Sequence, residues 1–262
     1  MKIGYQGTLG SFSQIASKQI FGDSEYQNYF TFKEAINAVL NGDIDYAVLP
    51  IKNSYTGEVT LVLDELYLSD VYIVEMYNLP IKQNLIGLKE SKLEDIKKVY
   101  SHEQALMQCS EFLKENNYEI ISFANTALAS KYIKEQNDIT KAAIASDMTA
   151  ELYDLKVLKT EINNNKKNTT RFAIISKKIV DIKENFAFMF TVKDGSGALA
   201  AVLNEISNLG LNLTAISSHS THEEWKYYIF CEAEGRLDSK NVSLLKEVLE
   251  DKCETFKIIG SY

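Results

Sequence analysis

Short apolar runs and stretches of helical periodicity alternate along the first 160 or so residues of this chain. Lys2 to Gln6 is a compact β run ended by Gly7 and Gly10, and Phe12, Ile15, Ala16 and Ile20 follow at helical spacing. Thr31, with Glu34 three residues on, reads as an N-cap ahead of Ala35, Ile36, Val39 and Leu40. Tyr46 to Ile51 is a buried-strand run, Glu58 to Leu68 is helical, and a long apolar strand from Val71 to Leu79 leads through Pro80 to Gln83–Leu88. The rhythm then repeats. Val99–Ser101 ends a strand, and Ala105, Leu106, Cys109, Phe112 and Leu113 share one helix face. Strand Tyr118–Phe123, helix Thr126–Ile133, strand Ala142–Ala145 and helix Met148–Tyr153 follow. Such alternation implies an α/β architecture on a mostly parallel sheet. Two blocks joined near residues 78 to 82 imply two lobes with a cleft between them, and such folds bind ligands outside the carboxyl ends of parallel strands.

The pattern changes after the second block. A polar stretch from Glu161 to Asn168 precedes the strand Thr170 to Ser176, and the charged segment Lys177 to Glu184 marks a domain boundary. Beyond it the order is strand (Phe186–Val192), helix (Leu199, Val202, Leu203, Ile206, Leu209), strand (Leu213–Ser218), strand (Tyr227–Glu234), helix (Val242–Leu249) and strand (Thr255–Ile259). That βαββαβ order is ferredoxin-like.

Composition excludes several classes of function. The 262 residues carry 28 Lys+Arg against 36 Asp+Glu, a net charge of -8, so no basic face for nucleic acid is expected. A local pocket can still oppose the global sign and take a small anion. No run approaches the ~18 apolar residues of a membrane span, and the start does not read as a signal peptide. Cys109, Cys231 and Cys253 are odd in number and far apart, which reads as reduced, buried thiols in a cytoplasmic protein with no metal framework. Only two prolines occur, where average usage of ~5% would give about thirteen.

Three segments hold candidate chemistry. Gly7-Thr8-Leu9-Gly10-Ser11-Phe12-Ser13 lies between a strand and a helix, where N–H groups and hydroxyls can cradle a carboxylate or phosphate; a tight capped turn fits the same residues. Pro50-Ile51-Lys52-Asn53-Ser54 follows a buried strand and reads either as a polar clamp or as a capped turn. Asn168-Thr169-Thr170-Arg171-Phe172 brings amide, hydroxyl and guanidinium groups to the start of a strand, although Thr-Thr alone also favours strand formation. Thr is a poor acid, so a catalytic Thr would act through a tight hydrogen bond to a leaving group. His102 at a helix start reads as a packing or capping residue ahead of the catalytic alternative, and His219 with His222 as loop residues rather than a metal pair.

Taken in order, Gly7…Gly10-Ser11-Phe12, Leu49-Pro50-Ile51-Lys52-Asn53-Ser54…Gly57, Ser101-His102…Gln104-Ala105-Leu106…Gln108-Cys109, Thr126-Ala127 and Asn168-Thr169-Thr170-Arg171-Phe172 resemble the prephenate dehydratase family. Gly197-Ala198-Leu199 and Asn212-Leu213-Thr214 resemble the ACT regulatory domain attached to that enzyme. The resemblance implies a catalytic part over residues 1–178, with one lobe of about 1–78 plus 158–178 and another of about 79–157, and an ACT domain over 185–262. It implies a periplasmic-binding-protein-like catalytic fold. The implied reaction takes prephenate to phenylpyruvate, water and carbon dioxide, driven by aromatisation, so no cofactor is expected. By resemblance Thr170 donates to the leaving hydroxyl, while Ser11, Asn53, Ser54, Thr126, Asn168, Arg171 and Phe172 line the cleft and hold the carboxylates. Gly197, Ala198, Leu199, Asn212 and Leu213 would hold L-phenylalanine as a feedback effector, in a homodimer or homotetramer. Arogenate dehydration, prephenate decarboxylation without aromatisation, and ligand sensing without chemistry remain alternatives.

The chain departs from the family pattern at several positions. Thr8 and Glu103 stand where proline is usual, Lys52 where Glu is usual, and Ser217-Ser218-His219-Ser220 where Glu-Ser-Arg-Pro is usual. General avoidance of proline accounts for Thr8, Glu103 and Ser220. It does not account for Lys52, Ser217 and His219.

Overall fold

The computed structural model describes residues 1–179, 181–221 and 223–262, so His222 lies outside the described residues. The first lobe opens with β1 (Lys2–Gln6), α1 (Phe12–Phe21), β2 (Glu25–Tyr29), α2 (Phe32–Asn41), β3 (Tyr46–Asn53), the short β4 (Gly57–Glu58), α3 (Thr60–Leu68) and β5 (Tyr72–Pro80). The Thr31 reading holds: its side chain accepts from Glu34 N while the Glu34 carboxylate accepts from Thr31 N, which satisfies two orphan donors of α2. The second lobe contains β6 (Asn84–Gly87), β7 (Lys98–Ser101), α4 (Glu103–Gln108), α5 (Ser110–Glu115), β8 (Glu119–Ser122), α6 (Thr126–Gln136), β9 (Lys141–Ala145), α7 (Asp147–Leu152) and β10 (Lys156–Lys159). The chain then returns to the first lobe as β11 (Thr169–Ser176).

Both lobes are α/β, but their sheets are mixed rather than mostly parallel. In the first, β1 runs parallel to β2 and β3, while β11 is antiparallel to both β3 and β5. In the second, β7 is parallel to β8 and β9, while β6 is antiparallel to β9 and β10. The cause is the double crossing between lobes. The strands that leave and re-enter a lobe run against one another, and only the strands joined by helices stay parallel. The helix expected over residues 105 to 113 is broken at Cys109 into α4 and α5.

After β11 come β12 (Asn185–Val192), α8 (Ala198–Asn208), β13 (Leu213–Ser220), β14 (Tyr227–Glu234), α9 (Lys240–Lys252) and β15 (Cys253–Ser261), the βαββαβ order read from the sequence. On β12, Phe186, Phe188 and Phe190 pack under α8 and α9, while Ala187 and Met189 point the other way into the first lobe's core. Burial on both faces explains why this strand is apolar throughout. Each buried phenylalanine contributes about 2 kcal/mol from area alone. Tyr228 stacks on Tyr67 of α3 at 4.5 Å between ring centroids, so the C-terminal unit is packed onto the first lobe. The sheets even join. Gly260 of β15 faces Ile73 of β5, at a spacing where a Cβ on Gly260 would lie 2.4 Å from the Ile73 carbonyl oxygen.

Candidate active site

Residues on a strand alternate between faces, and on β11 that alternation sorts the Thr-Arg-Phe triplet. Phe172 and Ile174 pack with Ile15 of α1, whereas Ala173 and Ile175 join the core against α3. Thr170 and Phe172 therefore face a cleft of about 360 Å³ between the lobes. Arg171 points the other way. Its Nη1 lies 2.6 Å from Glu232 Oε2 on β14, and its guanidinium sits over the Tyr262 ring at 5.4 Å. The expectation that Arg171 lines the cleft is thus corrected, and the physical reason is the period of two.

Asn53, at the end of β3, is the centre of the polar floor. Its Oδ1 accepts from the backbone N–H groups of Tyr55 (2.9 Å) and Thr56 (3.1 Å), an Asx-type turn that fixes the orientation of the amide. Its Nδ2 donates to Asn168 Oδ1 at 2.9 Å and to Thr170 Oγ1 at 2.8 Å. Thr170 therefore receives a hydrogen bond and keeps its own O–H proton for another acceptor. Asn168, buried behind the lining, has its Nδ2 unpaired among the described residues. Ser54 is exposed and outside the lining. Its hydroxyl accepts from Thr169 N at 3.0 Å and so pins the start of β11. Ser54 is thus a support rather than a cleft residue, its hydroxyl engaged with the backbone of Thr169 and Lys167.

Helix starts from both lobes meet at the cleft. Ser11 caps α1, accepting from Gln14 N, and Asn125 caps α6, accepting from Leu128 N at 2.7 Å. Ser11, Ser13, Asn125 and Thr126 all line the cavity. His102 does so too, as the cap of α4, its Nδ1 accepting from Gln104 N, which agrees with the capping role read from the sequence. Gly7 and Gly10 have φ of 114° and 84°, which L side chains resist, so both glycines of the first loop are required by its backbone. Thr149 Oγ1 donates to Gly10 O at 2.8 Å and Gln104 Nε2 donates to Thr56 Oγ1 at 3.2 Å, and both bonds cross between the lobes. Among the described residues, no Lys, Arg, Asp or Glu lines the cleft. An anion there meets only neutral donors and the positive ends of helix dipoles.

Three glutamines, Gln83, Gln104 and Gln108, complete the wall and were not among the expected site residues. Gln83 Oε1 is buried without a partner among the described residues. A polar residue opening an apolar strand was the available signal, and its direction was not legible without the fold.

In the C-terminal unit, Gly197, Ala198 and Leu199 line a second cavity of about 480 Å³ with Trp225 and Glu254. Asn212 and Leu213 do not reach it within this chain: Asn212 Nδ2 donates to Glu234 Oε2 at 3.0 Å, and Leu213 packs with the core under α8 and α9. Leu213 opens β13, the edge strand of the unit's sheet order, and Asn212 immediately precedes it. The three cysteines are unpaired and buried. Burial pushes the Cys109 and Cys231 thiols up to about 12 and Cys253 to about 11. Among the described residues, no group of three or more His, Cys, Asp and Glu is placed to hold a metal ion, and no helix is long and apolar enough to cross a membrane.

This geometry has relatives. The family model for prephenate dehydratase matches residues 3–180, and the model for the ACT domain matches residues 187–243. The chain is 31% identical to the prephenate dehydratase of Bacillus subtilis, over 100% of this chain and 98% of that protein. It is 35% identical to the bifunctional chorismate mutase/prephenate dehydratase of Buchnera aphidicola subsp. Schizaphis graminum, over 98% of this chain and 70% of that protein. Among solved structures, the prephenate dehydratase of Staphylococcus aureus superposes with a TM-score of 0.82 at 27% identity, covering 99% of both chains. A protein described as a quorum quenching acylase, GqqA, superposes with a TM-score of 0.90 at 25% identity, covering 99% of this chain and 97% of that one. With family matches over both parts of the sequence and identity above 30% across its whole length, this chain belongs to the prephenate dehydratase family and carries a C-terminal ACT domain.

Proposed function

We propose that the cleft converts prephenate to phenylpyruvate, as a decarboxylating carbon–oxygen lyase, with Thr170 as the catalytic residue. The observation that carries this reading is the 2.8 Å bond from Asn53 to Thr170 Oγ1, which leaves the threonine proton free on the cleft face. In the reaction the bond from the ring to its carboxylate breaks and carbon dioxide leaves. That electron pair enters the ring, the bond to the ring hydroxyl breaks, and the oxygen departs as hydroxide, which takes its proton from solvent to become water. Thr170 supports departure by a hydrogen bond that strengthens as negative charge grows on the oxygen.

Ser11 and Thr126, at the starts of α1 and α6, hold the substrate carboxylates from opposite lobes, aided by the amides of the wall. Neutral donors and helix ends replace the guanidinium clamp that the Arg-Phe pair suggested. Phe172 offers its ring to the apolar face of the substrate. Asn53, bonded in turn to Asn168, holds Thr170 rather than the substrate, and Ser54 holds the strand that carries it. No cofactor is required, because aromatisation drives the elimination. The Gly197–Leu199 cavity takes L-phenylalanine, and the enzyme works in the cytoplasm as a homodimer or homotetramer. The test is incubation with prephenate, with and without L-phenylalanine, followed by product identification through the ultraviolet absorbance of phenylpyruvate. Phenylpyruvate formed without L-phenylalanine and suppressed by it is the expected result. A non-aromatic product, or turnover of arogenate alone, selects one of the alternative readings.

A further inference from the structure

Of the three positions that depart from the family pattern for no reason visible in the sequence, Lys52 and His219 meet on one carboxylate and Ser217 contacts the His219 ring. Lys52 Nζ lies 3.6 Å from Glu58 Oε1, His219 Nε2 lies 3.1 Å from Glu58 Oε2, and Ser217 Oγ lies 3.0 Å from the same ring nitrogen. A carboxylate only accepts, so Nε2 carries the proton of this contact. The imidazole is fixed on its face as well, stacked on Tyr228 at 5.3 Å, and the Tyr228 hydroxyl donates to Asp64 Oδ1 on α3 at 2.7 Å. The His219 side chain is 9% exposed and that of Glu58 17%, so the bond is shielded from water.

Glu58 does not touch the cleft, but Thr56 and Val59 on either side of β4 line it. On the β3–β4 hairpin, Lys52 pairs with Glu58 and Asn53 with Gly57, and Val59 N donates to Ile51 O at 2.9 Å. The residue that His219 grips is therefore adjacent to the cross-strand partner of Asn53. Asn53 in turn carries Thr170 Oγ1.

We propose that Glu58 is a positioning residue for the dehydration, and that His219 of the ACT domain holds it, so that the regulatory domain sets the direction of the Thr170 hydroxyl. This rests on the reading of the cleft as a prephenate dehydratase site. Without the His219 donor, Glu58 keeps, among the described residues, only Lys52, which is half exposed and 3.6 Å away. The hairpin then loosens and Asn53 no longer holds Thr170 in one orientation. Substrate binding, carried by the starts of α1 and α6, is unaffected. The signature is loss of turnover without loss of affinity.

The test is steady-state kinetics of the full chain with prephenate for wild type, His219→Ala, His219→Gln, Glu58→Gln and the double variant His219→Ala/Glu58→Gln. His219→Ala is expected to lower kcat about tenfold, a typical consequence of misplacing a catalytic group, with KM within about twofold. His219→Gln, whose amide can donate to the same oxygen, recovers most of that loss, and the double variant is no worse than the weaker single. Wild-type kcat in His219→Ala, equal changes in kcat and KM, or additive losses in the double variant would overturn the proposal. If His219→Ala does not fold, His219→Gln and Glu58→Gln decide the matter by the same split between kcat and KM. A wild-type enzyme that makes no phenylpyruvate would instead sink the reading of the cleft, a separate and recognisable outcome.

Discussion

Asn53 donates its side-chain amide to Thr170 Oγ1 across 2.8 Å, joining residues 117 apart in sequence. Because the Asn53 carbonyl is occupied by two backbone N–H groups, the amide presents a donor, and only a donor, to the threonine. Asn53→Asp keeps the shape but offers Thr170 an acceptor that competes for its proton. We expect kcat to fall about 10²-fold, the usual cost of losing one preorganised donor, with KM little changed. Steady-state rates of phenylpyruvate formation check this.

Arg171 and Glu232 tie the strand of Thr170 to the ACT domain. Arg171→Met leaves the Glu232 carboxylate buried and unpaired beside Tyr262. After allowance for the part-exposed arginine, the expected loss is about 2 kcal/mol. Arg171→Met/Glu232→Met should recover most of it. Thermal unfolding measures the stability change. The KM for prephenate should hold near the wild-type value in both variants, whereas a large rise would return Arg171 to the substrate.

Gly260 is where the ACT sheet meets the catalytic sheet, and a methyl group there collides with the Ile73 backbone. Gly260→Ala is expected to cost about 1–3 kcal/mol, as overpacking does, and to separate the urea unfolding curve into two steps. Gly195→Ala is the control, since open space surrounds that glycine. Equal behaviour of the two variants would mean that the contact at Gly260 does not hold the domains together.

The thiols offer a check on burial. A raised pKa means less thiolate at a given pH, and thiolate is the reactive form. With Cys109 and Cys231 pushed up to about 12 and Cys253 to about 11, the native protein at pH 8 should resist an aromatic disulfide reagent. Three equivalents should react after unfolding in guanidinium. Rapid labelling of one native thiol would show that its packing is looser than described.

Much of this fold is local in origin and so was legible. The Thr31–Glu34 cap, the unbroken apolar run Phe186 to Phe190 and the two-lobed rhythm depend on neighbours a few residues apart. The strand Glu25–Tyr29 was missed because EYQNY carries no apolar alternation, and it forms only by pairing with β1. Lys156–Lys159 was missed for a similar reason, as a short edge strand on β6. Site chemistry divides in the same way. Of the residues the motifs name, Ser11, Asn53, Thr126, Thr170 and Phe172 come together around one cavity. Arg171 faces away from the cleft because its strand neighbours Thr170 and Phe172 face into it, a relation the period of two already carries. Glu58 gave no local signal at all, because His219 reaches it from 161 residues away.

The central claim is that the Thr170 hydroxyl assists departure of the ring oxygen, and Thr170→Val tests it most directly by removing that proton at nearly constant volume. Turnover of prephenate to phenylpyruvate, followed by ultraviolet absorbance, should fall at least about 10²-fold in kcat relative to wild type, with KM close to unchanged. A Thr170→Val enzyme that turns over at the wild-type rate would contradict it.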